Sequence, residues 1–228
     1  MILLLLMPMK KLLFLFAMLF SVKAVVAQGY KPVKVDSLLT ISMPANYTQK
    51  DTLGQHIYTA SSDFGYVVTM VEPNAKNNQP LKKAGDLNDV LKKYMNGIQK
   101  QSGNGKIMND RDTTVGTLKA KVFTLMNDDG SGNIQYRDFL LIYTKDATYT
   151  FQYDYPDMRK DMIKGEAKAY FGSIKLSPEL QRNDQYTDIH STASSVNTLS
   201  ILEIGGGVIA VFVLAWLVFR KRNTISYE

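Results

Sequence analysis

The stretch "ATYTFQYDY", residues 147–155, constrains this chain more than any other segment of its length. Tyr149, Phe151, Tyr153 and Tyr155 alternate with Thr, Gln and Asp. Successive side chains of a strand point to opposite faces, so the four rings share one face. A helix does not collect i, i+2, i+4 and i+6 on one side. Rings of this size need a covering layer. The stripe therefore predicts the core face of a sheet under a helix. A ligand groove lined by rings is the alternative.

Other segments supply the rest of that sheet. "SLLTISMP" (37–44), "HIYTAS" (56–61) and "GYVVTMVE" (65–72) read as three strands. "KIMNDRDTTV" (106–115), "LKAKVFTLM" (118–126) and "IQYRDFLLIYT" (134–144) read as three more before the aromatic one. Between the two groups, Leu87, Val90, Leu91, Tyr94, Met95 and Ile98 trace one face of a helix over 86–101, with Asp86 as its N-cap. "GNGK" (103–106) follows that helix, so its first glycine reads as a helix stop and not as part of a phosphate loop. Pro156 can open a second helix, buried along Ile163, Ala167, Tyr170, Phe171 and Ile174. The order β-β-β-α-β-β-β-β-α predicts an α+β fold: an antiparallel sheet of six to seven strands flanked by two amphipathic helices.

"LLTISMPANYT", the central helix, "VGTLKAKVFTL" and the closing "AKAYFGSIKLS" resemble the PsbP-like fold over residues 35–177. The group includes extrinsic photosystem subunits, nuclear import factors and bacterial envelope proteins. The resemblance implies an α/β/α sandwich that works by binding and assembly. It carries no site motif, so no functional residue follows from it.

The two ends address location. Lys10 and Lys11 precede an apolar run over 12–20, and Val25 and Ala27 are small residues of the kind that precede a cleavage point. Residues 1–27 read as a secretory signal peptide, with Met9 as a plausible start and an uncleaved anchor as the alternative. Residues 201–219 are long and apolar enough for a transmembrane helix, followed by Arg220, Lys221 and Arg222. Those cations predict a cytoplasmic tail over 220–228, with the N-terminal domain outside the cytoplasmic membrane. Gly206 and Ala210 have the small-xxx-small spacing of a homodimer contact, a C-terminal sorting signal being another reading. The expected organisation is an exported domain over 28–177, a polar stalk over 178–200 and the membrane span. The expected partners are the membrane, through that span, and a protein of the envelope.

The formal net charge of +6 overstates the middle of the chain, because Lys10, Lys11, Lys23, Arg220, Lys221 and Arg222 all lie at the ends. No basic tract remains there, so nucleic acid is not implied. The chain has no cysteine, which excludes disulfides, a lipid-anchored cysteine and thiol chemistry.

One stretch does spell a site. In "NDDGSGNIQYRD", Asn127, Asp129, Ser131 and Asp138 stand at the first, third, fifth and twelfth positions of a calcium loop, with Gly132 at the sixth. The flanks favour strand instead, and Asp129-Gly130 and Ser131-Gly132 are turn pairs, so a hairpin tip is the leading reading and a calcium site the alternative. His56 and His190 have no evident partner by spacing, and Asp110 with Asp112 reads as solvent-facing charge. Asn46-Tyr47-Thr48 is a glycosylation sequon where the host glycosylates exported proteins. No cofactor motif occurs. The sequence reads as a non-catalytic, membrane-tethered binding or assembly domain. A calcium-dependent domain and an enzyme with a dispersed site are the rivals.

Overall fold

The computed structural model describes residues 29–74, 79–103 and 105–187. Its main layer is a seven-stranded antiparallel sheet in the order β3-β4-β5-β9-β8-β7-β6. These strands are β3 (Thr48–Thr52), β4 (Gln55–Ser61), β5 (Tyr66–Pro73), β6 (Lys106–Val115), β7 (Leu118–Asp128), β8 (Ile134–Tyr143) and β9 (Ala147–Pro156). A second antiparallel sheet joins β1 (Tyr30–Lys34), β2 (Leu39–Pro44) and β10 (Lys175–Leu176), with β2 in the middle.

One face of the main sheet carries Ile57, Val68, Met70, Phe123, Leu125, Phe139 and Leu141. Helix α1 (Ala84–Gln101) covers it with the six apolar residues its periodicity predicts, all buried. At roughly 1.5–3 kcal/mol for each fully buried side chain, this face alone holds the helix down. The helix starts earlier than the sequence suggests. Asp86 is not the N-cap; it sits in the first turn, where its carboxylate accepts the Lys83 backbone N–H at 3.3 Å. Gly103, at φ +75°, ends the helix as expected.

The opposite face carries the four rings of β9, all buried. The core reading of that stripe is correct. Helix α2 (Lys164–Gly172) and the three-stranded sheet share the cover, supplying Ile163, Ala167, Tyr170, Ile41 and Met43 to one cluster. The Glu166 carboxylate locks α2 down, accepting the Tyr30 and Tyr153 hydroxyls at 2.7 Å each and the Asp63 and Phe64 backbone N–H groups.

The sheet has the expected number of strands but a different membership. "SLLTISMP" lies in the small sheet, not the main one, and β3 takes its place at the edge. β3 is "TQKDT", polar along its whole length, and no alternation marks it because neither face is buried. Of β1, only Val33 is buried.

The stalk boundary is also corrected. Residues 178–187 are packed, not free. Leu180 and Tyr186 are buried, Leu81 brackets Tyr186 by donating its N–H to the Gln185 carbonyl and accepting the Thr187 N–H, and Lys145 pairs with Asp184 at 3.2 Å. Gln185 is fully buried: its amide N–H groups donate to the Lys119 and Tyr143 carbonyls at 2.8 Å, and its carbonyl accepts the Lys119 N–H. The segment straps the ends of β7 and β8. No helix of the described residues is long and apolar enough to cross a membrane. The expected signal peptide, the rest of the expected stalk with His190, the expected span with Gly206 and Ala210, and the expected tail lie outside the described residues.

Candidate functional site

The loop that resembles a calcium site is the tip of the β7–β8 hairpin, with Asp128 opposite Ile134. Its flanks are strands, not the helices of an EF-hand. Asp129 Oδ1 accepts the Ser131 N–H at 2.9 Å and the Ser131 hydroxyl at 2.6 Å, while Oδ2 accepts the Asn133 amide at 3.2 Å. Those bonds hold its exposed carboxyl down at about 2. Asp129 and Ser131 are therefore together. Asn127 is within β7, its amide donating to the Ser102 carbonyl at the end of α1. Asp138 lies well inside β8, opposite Thr124 on one side and Tyr153 on the other. Among the described residues no group of three or more His, Asp and Glu side chains is arranged to hold a metal ion.

Asp138 has a different setting. It is half-buried on the sheet face shared with α2, beyond the end of that helix. Thr124 donates its hydroxyl to Asp138 Oδ1 at 2.6 Å, and Asn109 Nδ2 donates to Thr124 Oγ1 at 3.3 Å. The Tyr155 hydroxyl is its other partner. Burial raises the Asp138 pKa above the ordinary carboxyl range, against the pull of Thr124, Tyr155, Arg111 and Lys160. Asn109 stands in a β-bulge between Met108 and Arg111, at φ +55°. A bulge re-aims the side chains of an edge strand, and asparagine tolerates this backbone better than most residues.

A short helical turn from Asp157 to Ile163 adjoins this cluster, with backbone bonds from Lys160 to Asp157 and from Ile163 to Arg159. The Lys160 ammonium sits 4.6 Å from the centroid of the Tyr136 ring, and that ring stacks on Tyr155 at 5.5 Å. The turn turns Ile163 inward and leaves Met158 84% and Met162 54% exposed. The site thus has a half-buried carboxylate with two hydroxyl partners, a cation on an aromatic stack, and two uncovered methionines one turn apart. Sequence reasoning found Asp138 through the wrong spacing. It missed Thr124 and Tyr155, which only strand pairing brings to it. A signal for the methionines existed: neither belongs to the buried stripe of the second helix.

Two other polar groups lie on the α1 face. Burial pushes Glu72 up to about 7, with a Gln55 hydrogen bond opposing it. Burial likewise pushes Asp154 up to about 6 against the attraction of Arg137, which pairs with it across the ladder. His56 has a partner after all: Asp51, directly across the β3–β4 ladder, at 2.9 Å. Lys121 bridges Asp110 at 2.7 Å and Asp112 at 3.0 Å.

No family model matches the chain, and no curated protein matches it. Solved structures do. The cyanobacterial PsbP (CyanoP) of Synechocystis sp. PCC 6803 has a similar fold, at 13% identity and a TM-score of 0.49, over 68% of this chain and 96% of that one. A protein of Bacteroides thetaiotaomicron VPI-5482 is 12% identical with a TM-score of 0.41, over 67% of this chain and 50% of its own.

Proposed function

We propose that this chain is a non-catalytic binding or assembly domain whose docking surface is the turn around Met158 and Met162, with Lys160, Tyr136 and the Asp138 cluster beside it. One observation carries the reading: two large apolar side chains are held in water on an ordered turn, in a domain whose other described methionines are buried or half-buried. Methionine suits such a surface because its unbranched, polarizable side chain adapts to a partner. The lysine on the aromatic stack supplies a fixed cation, and Asp138 with Arg111 a polar rim. The partner class that fits is a protein with an apolar depression edged by acidic groups. The binding and assembly roles implied by the PsbP-like resemblance agree.

The same reading places the domain outside a cytoplasmic membrane, tethered by residues 201–219, with its partner in the envelope. Protease added to intact spheroplasts is expected to remove the domain and spare a tag placed after Glu228. The docking surface is tested by photo-crosslinking in the full-length, membrane-inserted protein. A photoreactive residue at Lys164 should give a discrete adduct, and one at Lys92, on the outer side of α1, should not. Met158→Asp with Met162→Asp should abolish the Lys164 adduct without changing the melting temperature. An adduct that survives both substitutions refutes the docking surface.

A further inference from the structure

We infer that Met158 and Met162 form a paired oxidation site, at which a peroxide-class oxidant switches the surface between an apolar and a polar state. The switching half rests on the docking reading above; the oxidation half does not.

The chemistry follows from exposure. The described methionines fall into distinct environments. Met43, Met70 and Met95 are buried at 0%, 3% and 4% exposure, and Met108 and Met126 are half-buried beside the core. Of the described methionines, only Met158 and Met162 present half or more of their surface to water. The chain has no cysteine, so no thiolate competes for the oxidant. A peroxide transfers one oxygen to the thioether sulfur. The sulfur gives up an electron pair to form the S–O bond, the O–O bond breaks, and the second peroxide oxygen leaves as water. The product is methionine sulfoxide, polar and chiral, and enzymatically reducible.

The site is built so that this change stays local. The backbone bonds of the turn run between Asp157, Arg159, Lys160, Met162 and Ile163, and none involves a thioether. The inward anchor is Ile163, not either methionine. The two exposed sulfurs stand four residues apart on one short turn, so their oxidation changes the polarity of that turn together. Oxidation of a buried methionine would instead disrupt the core, so selectivity for these two is what separates a switch from damage.

The test uses the full-length protein and hydrogen peroxide. Peptide mass spectrometry over time should show Met158 and Met162 oxidised about tenfold or more faster than Met43, Met70 and Met95, as exposure requires. The melting temperature should stay unchanged at the point where both are sulfoxides. Comparable rates at all five positions, or loss of the folded state with the first oxygen added, overturns the paired site. For the switch, peroxide should remove the Lys164 adduct in wild type but not in a variant carrying Met158→Leu and Met162→Leu, which keeps the apolar surface without an oxidisable sulfur. An oxidised wild type that still gives the adduct overturns the switch. Absence of the adduct before any peroxide is added overturns the docking reading instead and leaves the oxidation-rate comparison as the measure of the site.

Discussion

Leu53 is the residue whose replacement should stabilise the domain. It forms, with Gly54, the two-residue turn between β3 and β4, and Thr52 pairs with Gln55 across it. Both turn residues have positive φ, 50° and 78°. That is a type I′ turn, which matches the twist of a hairpin and favours asparagine followed by glycine. Leucine in this backbone region carries a steric cost of roughly 1–2 kcal/mol. It recovers little in return, being 71% exposed. If full burial of leucine is worth about 1.5–3 kcal/mol, the covered remainder contributes roughly 0.4–0.9 kcal/mol. Leu53→Asn relieves the strain and forfeits that contact, for a net gain of about 0.5–1 kcal/mol. In a domain of this size the melting temperature should rise by roughly 1–4 °C. Leu53→Ala is the control: it keeps a Cβ in the strained region and loses the contact, so it should be neutral or slightly lower. Thermal denaturation of the three proteins side by side measures this. A Leu53→Asn protein that melts below wild type, or a Leu53→Ala protein that gains as much as the asparagine variant, refutes the strain argument.

Two further outcomes follow from individual carboxylates. Glu72, raised to about 7 by burial, binds its proton more tightly folded than unfolded, so the domain should lose stability as pH rises from about 4.5 through 7. Glu72→Gln should flatten that part of the profile and gain about 1–3 kcal/mol at pH 8, checked by urea denaturation across pH; an unchanged slope counts against a buried proton there. The Asp129 turn is already satisfied by Ser131 and Asn133, so millimolar calcium should leave the melting temperature where a chelator leaves it. A rise of several degrees that disappears in Asp129→Ala establishes the calcium site.

What was readable in the sequence was readable because one face of an element is buried and the other is not. The α1 stripe and the rings of β9 each meet a single apolar layer, so their periods of 3.6 and 2 survive in the sequence. β3 is in the sheet by backbone bonds and exposed polar contacts such as Asp51 with His56, with no buried apolar side chain, and leaves no pattern. The strap over 178–187 looked like a stalk because its main fastening is a buried amide. Gln185 satisfies strand-end carbonyls and an N–H, a role that reads in sequence as ordinary polarity. The site was half legible. Asp138 attracted attention by its distance from Asn127 along the chain, whereas its partners reach it across the ladder from β7 and β9.

The edges and covers of the main sheet account for where the proposed docking surface lies. A free edge invites another strand, and both edges here resist it. β3 presents alternating Gln, Lys and Asp along an exposed strand. β6 carries Lys106, Asp110, Arg111 and Asp112 and is broken by the bulge at Asn109. Both large faces are covered, one by α1 and one by α2 with the small sheet. The cover on the second face stops short of the β8 and β9 ends, where a helical turn crosses instead of a full helix. That gap is where Asp138 remains half-buried, where Tyr136 takes a lysine as its cover, and where Met158 and Met162 face water. A partner that adds a strand finds no suitable edge on the main sheet. One that adds an apolar contact finds this turn, and the bulged strand beside it directs Arg111 and Asn109 toward the same place.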